Sequence, residues 1–180
     1  MKKIIVFCIA VILSASIMGC AAQESPSKES SNSQRQTAAN TTVDKTAPDL
    51  QLKTLDGKSI SLKQLYQDKP VYLNFWASWC PPCVQEMPHI QRLQKQYGSK
   101  IHFVAVTVDE NSSDAADFIQ KNSITMPIYT GDLKAITQEY GVSAIPVSII
   151  IDTNGKILAK RVGGMDEQEL KEFLAPVLTK

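Results

Sequence analysis

Two cysteines separated by two prolines, Cys80 and Cys83, are the residues of this 180-residue chain whose type and spacing most directly suggest chemistry. They follow VYLNFWA, residues 71–77, an apolar run that is typical of a buried strand. They precede a segment with helical apolar spacing. A cysteine that opens a helix faces unpaired amide donors and the positive end of the helix dipole, and both favour thiolate. The pattern predicts a nucleophile at Cys80 with a resolving thiol at Cys83.

A structural disulfide and a metal site are the two alternatives for this pair. A bridge across two intervening residues closes a very short loop and restricts the unfolded chain little. A metal site needs three or four ligands, and only Met87, His89 and His102 could add to the two sulfurs. A CxxC that opens a helix in an α/β pattern favours redox cycling. We therefore expect a redox-active pair without a cofactor or metal.

The residues around the cysteines allow further predictions. The aromatic side chains of Phe75, Trp76 and Trp79 are expected to wall the site with apolar surface. Asp109 and Glu110, which follow a later apolar run, are interpreted as a solvated strand end.

The hydrophobic pattern of the rest of the chain indicates alternating strands and helices. Apolar and polar residues alternate over 49–62 on both sides of Asp56-Gly57, and this pattern predicts a β-hairpin. The further predicted elements are a strand over 71–77, helix 82–98, strand 101–109, helix 112–122, strand 126–130, helix 132–141, a hairpin over 146–162 and helix 166–178. Crossover helices between early strands and a closing hairpin predict an α/β sandwich with a mixed sheet.

The N-terminal segment is predicted to direct export. Residues 1–19 carry two lysines and then an apolar run, which is the pattern of a signal peptide, and IMGC at 17–20 resembles a bacterial lipobox. Cleavage there would leave Cys20 for lipidation, while an uncleaved signal anchor is the alternative. Residues 20–45 lack aromatic side chains and are expected to form a disordered tether before a domain over 46–180. The formal net charge of +1 does not suggest a nucleic-acid partner.

The segment NFWASWCPPC, residues 74–83, resembles the active-site segment of the thioredoxin superfamily. The longer stretches APDLQLKTLDGKSISLKQLYQDKPVYLNFWASWCPPCVQEMP and YGVSAIPVSIIIDTNGKI are similar to the TlpA/ResA-like membrane-anchored thiol-disulfide oxidoreductases. The resemblance covers residues 46–178. It implies a thioredoxin-like sandwich with an N-terminal β-hairpin and a central helix–strand insertion.

The resemblance also implies roles for individual residues. Cys80 would be the attacking thiol and Cys83 the resolving one. Pro146 would be a cis-proline opposite the pair, and the backbone of Ile145 before it would pair with a substrate strand.

Four further positions carry expectations from the same resemblance. Trp79 and Pro81, on either side of Cys80, would contact substrate. Glu86 matches a glutamate that the ResA-like group carries in its active site, and it would assist proton movement or tune the thiols. Thioredoxins proper have a buried aspartate where this chain has Asn74, which cannot titrate.

The activity that the resemblance implies is reduction of disulfides in exported proteins, for example apocytochrome c or a methionine sulfoxide reductase. Electrons would come from a membrane thiol carrier of the CcdA/DsbD type. The protein would be a monomer on the outer face of the bacterial cell membrane. One alternative on this fold is a peroxiredoxin-like peroxidase, but this sequence lacks the PxxxTxxC pattern of such enzymes. The other is a copper chaperone, but copper-delivery relatives use CxxxC with a distant histidine, and the spacing here is CxxC.

Overall fold

The computed structural model of the protein describes residues 45–178. The predicted signal peptide, Cys20 and the tether up to residue 44 lie outside the described residues, so these predictions are not tested. The described segment consists of seven strands and five helices: β1 Gln51–Thr54, β2 Ser59–Ser61, α1 Leu62–Asp68, β3 Val71–Trp76, α2 Pro81–Tyr97, β4 His102–Thr107, α3 Ser112–Lys121, β5 Ile128–Gly131, α4 Leu133–Glu139, β6 Val147–Ile151, β7 Ile157–Val162 and α5 Glu167–Leu178.

The strands form one mixed sheet in the order β2-β1-β5-β4-β3-β6-β7. The strands β3, β4 and β5 run parallel, with Val71 opposite His102 at the start of β3. The strands β1 and β6 run antiparallel to their neighbours, with Phe75 opposite Val147 at the end of β3. β3 therefore lies inside the sheet, and its carboxyl end delivers the chain to the cysteines.

The sheet separates two hydrophobic cores because successive side chains of a strand point to opposite faces. Tyr72 and Trp76 of β3 face a core that contains apolar residues of α2, α3 and α5. Leu73 and Phe75 face a second core that contains apolar residues of α1 and α4. All six residues of β3 are buried, so this strand is the rigid base of the cysteine site.

The observed architecture confirms the predicted thioredoxin-like sandwich. Both hairpins are present, and α3 with β5 forms the central insertion, in which β5 lies between β1 and β4. The helix α1 was missed by the sequence analysis. Its signal is the spacing of Ser61 and Gln64, which form a capping box at the helix start.

Within residues 45–178, none of the helices combines the length and apolar character needed to cross a membrane.

Candidate active site

The turn between β3 and α2 presents the two cysteines. The Cys80 amide donates to the carbonyl oxygen of Ala77 at 3.2 Å, and Cys80 is the N-cap residue of α2. Pro81 and Pro82 occupy the first helical positions, where an amide hydrogen would have no partner within the helix. The sequence therefore starts α2 with Cys80 directly at its amino end.

A disulfide joins Cys80 to Cys83, whose Cα atoms lie 5.3 Å apart. Cys80 is 4% exposed and Cys83 is 1% exposed. The Cys80 Sγ atom lies 3.7 Å from the carbonyl oxygen of Ile145. This is a van der Waals contact, since a disulfide sulfur has no hydrogen to donate. Both cysteines are buried, and of the two only Cys80 lines an apolar groove.

An open apolar groove of about 540 Å³ runs beside Cys80. Trp79, with 66% of its surface exposed, forms part of its rim, and Leu133 of α4 also lines it. Trp76 is fully buried in the same core as Cys80 and Cys83, so it borders the cysteines from inside the protein. The prediction is wrong for Phe75, which lies in the core on the other face of the sheet. Only Trp79 of the three aromatic residues lines the groove.

The segment that faces Cys80 contains the predicted cis-proline position. The Ile145–Pro146 peptide bond is cis. The carbonyl oxygen of Pro146 accepts a hydrogen bond from the Gly163 amide at 2.9 Å. Among residues 45–178, no hydrogen bond is formed by the amide of Ile145. An unpaired main-chain donor thus lies next to Cys80, where an extended peptide could pair with it.

Glu86 lies one helical turn after Cys83 on the buried side of α2, and only 2% of its surface is exposed. Neither carboxyl oxygen has a hydrogen bond of normal geometry. Burial raises the pKa of Glu86 to about 8, because a carboxylate loses its hydration there. At neutral pH this carboxyl group therefore holds its proton most of the time.

Several groups oppose the effect of burial on Glu86. The Met165 amide, the charge of Arg161 and the Tyr72 hydroxyl each favour the ionised carboxylate, whereas the charge of Glu169 disfavours it. The Arg161 guanidinium pairs with Glu169 at 2.8 Å, so much of its charge is compensated. A second cavity of about 270 Å³ is lined by Glu86 together with Gln85, His89 and Met165.

Buried polar side chains of β3 and β6 form hydrogen bonds with one another on the sheet face that packs against α2. The hydroxyl groups of Tyr72 and Ser148 lie 2.9 Å apart, and the Asn74 amide nitrogen donates to the Ser148 oxygen at 3.1 Å. Asn74 is 1% exposed, so the position of the thioredoxin aspartate holds a neutral polar group here. Neither Tyr72 nor Ser148 was predicted as part of the site from the sequence. Each of them carries a hydroxyl group in an otherwise mostly apolar strand, and such a residue is the sequence signal for a buried hydrogen bond.

Asp109 is buried, with 8% exposure, and the prediction of a solvated strand end is wrong for it. Its carboxylate accepts hydrogen bonds from the Ser78 amide, the Ser78 hydroxyl and the Thr107 hydroxyl. Glu110, the next residue, is exposed as predicted. The sequence signal for Asp109 is its spacing of two residues from Thr107, a local side-chain turn pattern.

The histidines do not join the cysteines. His89 contacts the Arg92 guanidinium, and His102 lies 2.7 Å from the Asp68 carboxylate. Over the described range 45–178 there is no cluster of three or more histidine, cysteine, aspartate and glutamate side chains that could hold a metal ion.

One protein-family model and several known proteins match this chain. The Redoxin family model matches residues 42–175. The thioredoxin-like protein YneN of Bacillus subtilis is 40% identical over 131 residues, which are 71% of this chain and 76% of YneN. The thiol-disulfide oxidoreductase ResA of Halalkalibacterium halodurans is 35% identical over 124 residues, which are 68% of this chain and 70% of ResA.

A solved structure shows the same fold. A Chlorobium tepidum protein assigned as the thiol:disulfide interchange protein DsbE superposes with a TM-score of 0.68 at 31% identity, covering 78% of this chain and 99% of that one. The family match, these relatives and the CxxC at the start of α2 agree with one another. The chain belongs to the thioredoxin superfamily as a ResA-like thiol-disulfide oxidoreductase of the Redoxin family.

Proposed function

We propose that the protein reduces disulfides of exported proteins outside the cytoplasmic membrane, with Cys80 as the attacking and Cys83 as the resolving cysteine. The observation that carries this proposal is the position of Cys80, which borders an apolar groove and contacts Ile145, whose amide is unpaired. Cys80 lines this groove, whereas Cys83 does not line it and is bonded to Cys80.

The thiol exchange proceeds in two steps that transfer two electrons. The Cys80 thiolate attacks one sulfur of the substrate disulfide; a mixed disulfide forms, and the other substrate sulfur leaves as a thiolate that takes up a proton. The Cys83 thiolate then attacks the Cys80 sulfur, which forms the Cys80–Cys83 disulfide and releases the second substrate thiol. The substrate is reduced, and the cysteine pair is oxidised to the state seen in this structure.

The substrate contacts follow from the groove. An extended peptide would pair with the backbone of Ile145 before Pro146, and its side chains would contact Trp79 and Pro81 beside Cys80. Main-chain pairing fixes the direction of the peptide, and this positions its disulfide for attack by Cys80.

Glu86 is proposed as the proton carrier for the buried thiol of Cys83. Its pKa of about 8 lies near the working range of a thiol, so it can both release and accept a proton at neutral pH. The carboxyl group is one turn from Cys83 on the same helix face.

The place of action is proposed from the N-terminal sequence. A signal peptide over 1–19, a lipid on Cys20 and a tether over 20–45 would hold the protein, a monomer, at the outer face of the cell membrane. A membrane thiol carrier of the CcdA/DsbD type would return electrons to the oxidised pair. Apocytochrome c is one exported substrate class with the required disulfide.

The test is capture of the mixed disulfide in Cys83→Ser, which cannot release a bound partner. The variant is expected to retain a defined exported protein through Cys80, and dithiothreitol should release it. The double variant Cys80→Ser/Cys83→Ser is the matched control and should retain none. Capture of no exported protein by a folded Cys83→Ser chain contradicts the proposed function, and rapid consumption of peroxide by Cys80 would point to a peroxidase.

A further inference from the structure

We propose that Asp109 is a positioning residue of the thiol-exchange site, which holds the turn that presents Trp79 at the rim of the groove. The inference rests on the proposed function, because it assigns Asp109 to capture of the protein substrate. Asp109 lies just after β4, separated by 31 residues from its partner Ser78.

The contacts of the Asp109 carboxylate converge on one residue of the turn. Its two oxygens lie 3.2 and 3.1 Å from the Ser78 amide nitrogen, and one of them accepts the Ser78 hydroxyl at 3.0 Å. The Thr107 hydroxyl donates to the other oxygen at 2.7 Å and accepts from the Asp109 amide at 3.1 Å. Thr107 is 2% exposed, so this anchor is fixed in the interior of the protein.

The bonded residue is the second of a four-residue turn. The Cys80 amide closes this turn on the Ala77 carbonyl oxygen at 3.2 Å, which places Ser78 and Trp79 at its two central positions. Trp79 itself makes no hydrogen bond within residues 45–178 and exposes 66% of its surface. No hydrogen bond of its own anchors Trp79, so the turn fixes the backbone position from which its side chain reaches the rim.

A carboxylate is well suited to this task. It accepts several hydrogen bonds at once, and bonds to a charged acceptor are stronger than those between neutral groups. Loss of the carboxylate would leave the Ser78 amide without its acceptor, and the turn could then change its conformation. Trp79 would be displaced from the groove, while the two hydrophobic cores on either face of the sheet would keep their packing.

The experiment compares substitutions in the full chain, with dithiothreitol as the reductant for insulin. Insulin serves as the protein disulfide, and 5,5′-dithiobis(2-nitrobenzoate) serves as a small disulfide that needs little contact with Trp79. The reaction with the small disulfide uses protein that was reduced beforehand and freed of dithiothreitol. We expect Asp109→Ala to raise KM for insulin roughly tenfold with a small change in kcat. The rate with the small disulfide should stay within about twofold of wild type.

Asp109→Asn separates geometry from charge. Its amide oxygen can still accept from Ser78 and its amide nitrogen can donate to Thr107, so this variant should recover most of the loss in KM. Asp152→Ala is the matched control. The Asp152 carboxylate accepts hydrogen bonds from the amides of Asn154 and Lys156, at 2.9 Å each, in the β6–β7 hairpin, and it does not line the groove. The KM of this variant for insulin should equal that of wild type.

Trp79 gives a readout that does not depend on activity. Trp76 is fully buried, so emission quenched by acrylamide reports on Trp79. Asp109→Ala should lower the anisotropy of this emission, and Asp109→Asn and Asp152→Ala should not. Should Asp109→Ala not fold, Ser78→Ala provides a milder variant, for which KM is expected to rise about threefold.

An unchanged KM in a folded Asp109→Ala variant, or an equal loss in the alanine and asparagine variants, would overturn the inference. Wild-type protein that fails to reduce insulin and captures no exported protein would instead contradict the proposed function. The anisotropy measurement would still decide whether Asp109 holds Trp79.

Discussion

The hydroxyl group of Tyr72 lies 2.9 Å from that of Ser148 on the adjacent strand, on the sheet face that packs against α2. The Asn74 amide donates to the same serine oxygen, which leaves the serine hydrogen free to point at the tyrosine. The tyrosine hydrogen can then point at the carboxyl group of Glu86. Donors aligned in this direction favour ionised Glu86 and partly offset its burial.

The first prediction concerns the pH dependence of stability. The pKa of Glu86 is raised from its usual 4.5 to about 8 in the folded protein, so the native state holds one more proton than the unfolded chain between these values. Its contribution is fully present below about pH 4.5 and is lost as pH rises through about 8. Over this window we expect the free energy of unfolding of the disulfide form to fall by up to about 1.4 kcal/mol per pH unit relative to Glu86→Gln.

Urea denaturation of both proteins at several pH values measures this difference. Glu167→Gln is a useful comparison, since hydrogen bonds from the Lys171 and Arg92 side chains lower the pKa of Glu167. Its substitution should therefore not remove a loss of stability between neutral and mildly alkaline pH. Parallel curves for wild type and Glu86→Gln would contradict a buried carboxyl group with a raised pKa.

The second prediction concerns Tyr72→Phe. The tyrosine hydroxyl favours the ionised carboxylate, so its removal should raise the pKa of Glu86 above about 8. Titration of the Glu86 side-chain carbon by NMR measures the shift. Tyr129→Phe, in the second core, is the control and should leave it unchanged. A pKa of Glu86 that stays the same or falls in Tyr72→Phe would show that the hydroxyl does not act on the carboxyl group.

The third prediction concerns Leu133 of α4, which lines the groove. This side chain is 42% exposed, so Leu133→Ala should weaken contact with a substrate side chain. We expect KM for insulin to rise roughly two- to fivefold, in line with the loss of part of the buried apolar area. Leu55→Ala is the matched control, because Leu55 is 40% exposed and does not line the groove. Equal effects of both substitutions would argue against substrate contact at α4.

The fourth prediction concerns the core that supports the site. Phe173 of α5 is 1% exposed, and its ring lies 6.3 Å from that of Tyr72 in an edge-on arrangement. Phe173→Ala should lower the free energy of unfolding by about 3–5 kcal/mol, because it leaves a cavity between α5 and the sheet. Urea denaturation measures the loss. Phe118→Ala, at a partly buried ring, should cost less, and a loss below about 1 kcal/mol for Phe173→Ala would contradict tight packing there.

Local sequence patterns predicted an α/β sandwich with a mixed sheet and a helix that starts at the cysteine pair, and the family resemblance added the thioredoxin-like arrangement; α1 was not predicted. Apolar spacing within α2, the hairpin residues around Gly57 and the buried run of β3 are local patterns with periods that differ between helix and strand. The prolines after Cys80 mark a helix start for a reason that needs no other part of the chain. These features depend only on residues that are close in the sequence, and they can therefore be predicted from the sequence without knowledge of the fold.

The environment of the site was decided by the tertiary structure. Asp109 meets Ser78 across 31 residues, and Tyr72 meets Ser148 across 76, so neither contact has a local signal that names its partner. The pKa of Glu86 is raised by burial and partly lowered by Tyr72 of β3 and Arg161 of β7, which are distant from it in sequence. Hydration and the strength of charge interactions are set by everything that surrounds a group, and only the packed chain brings those surroundings together.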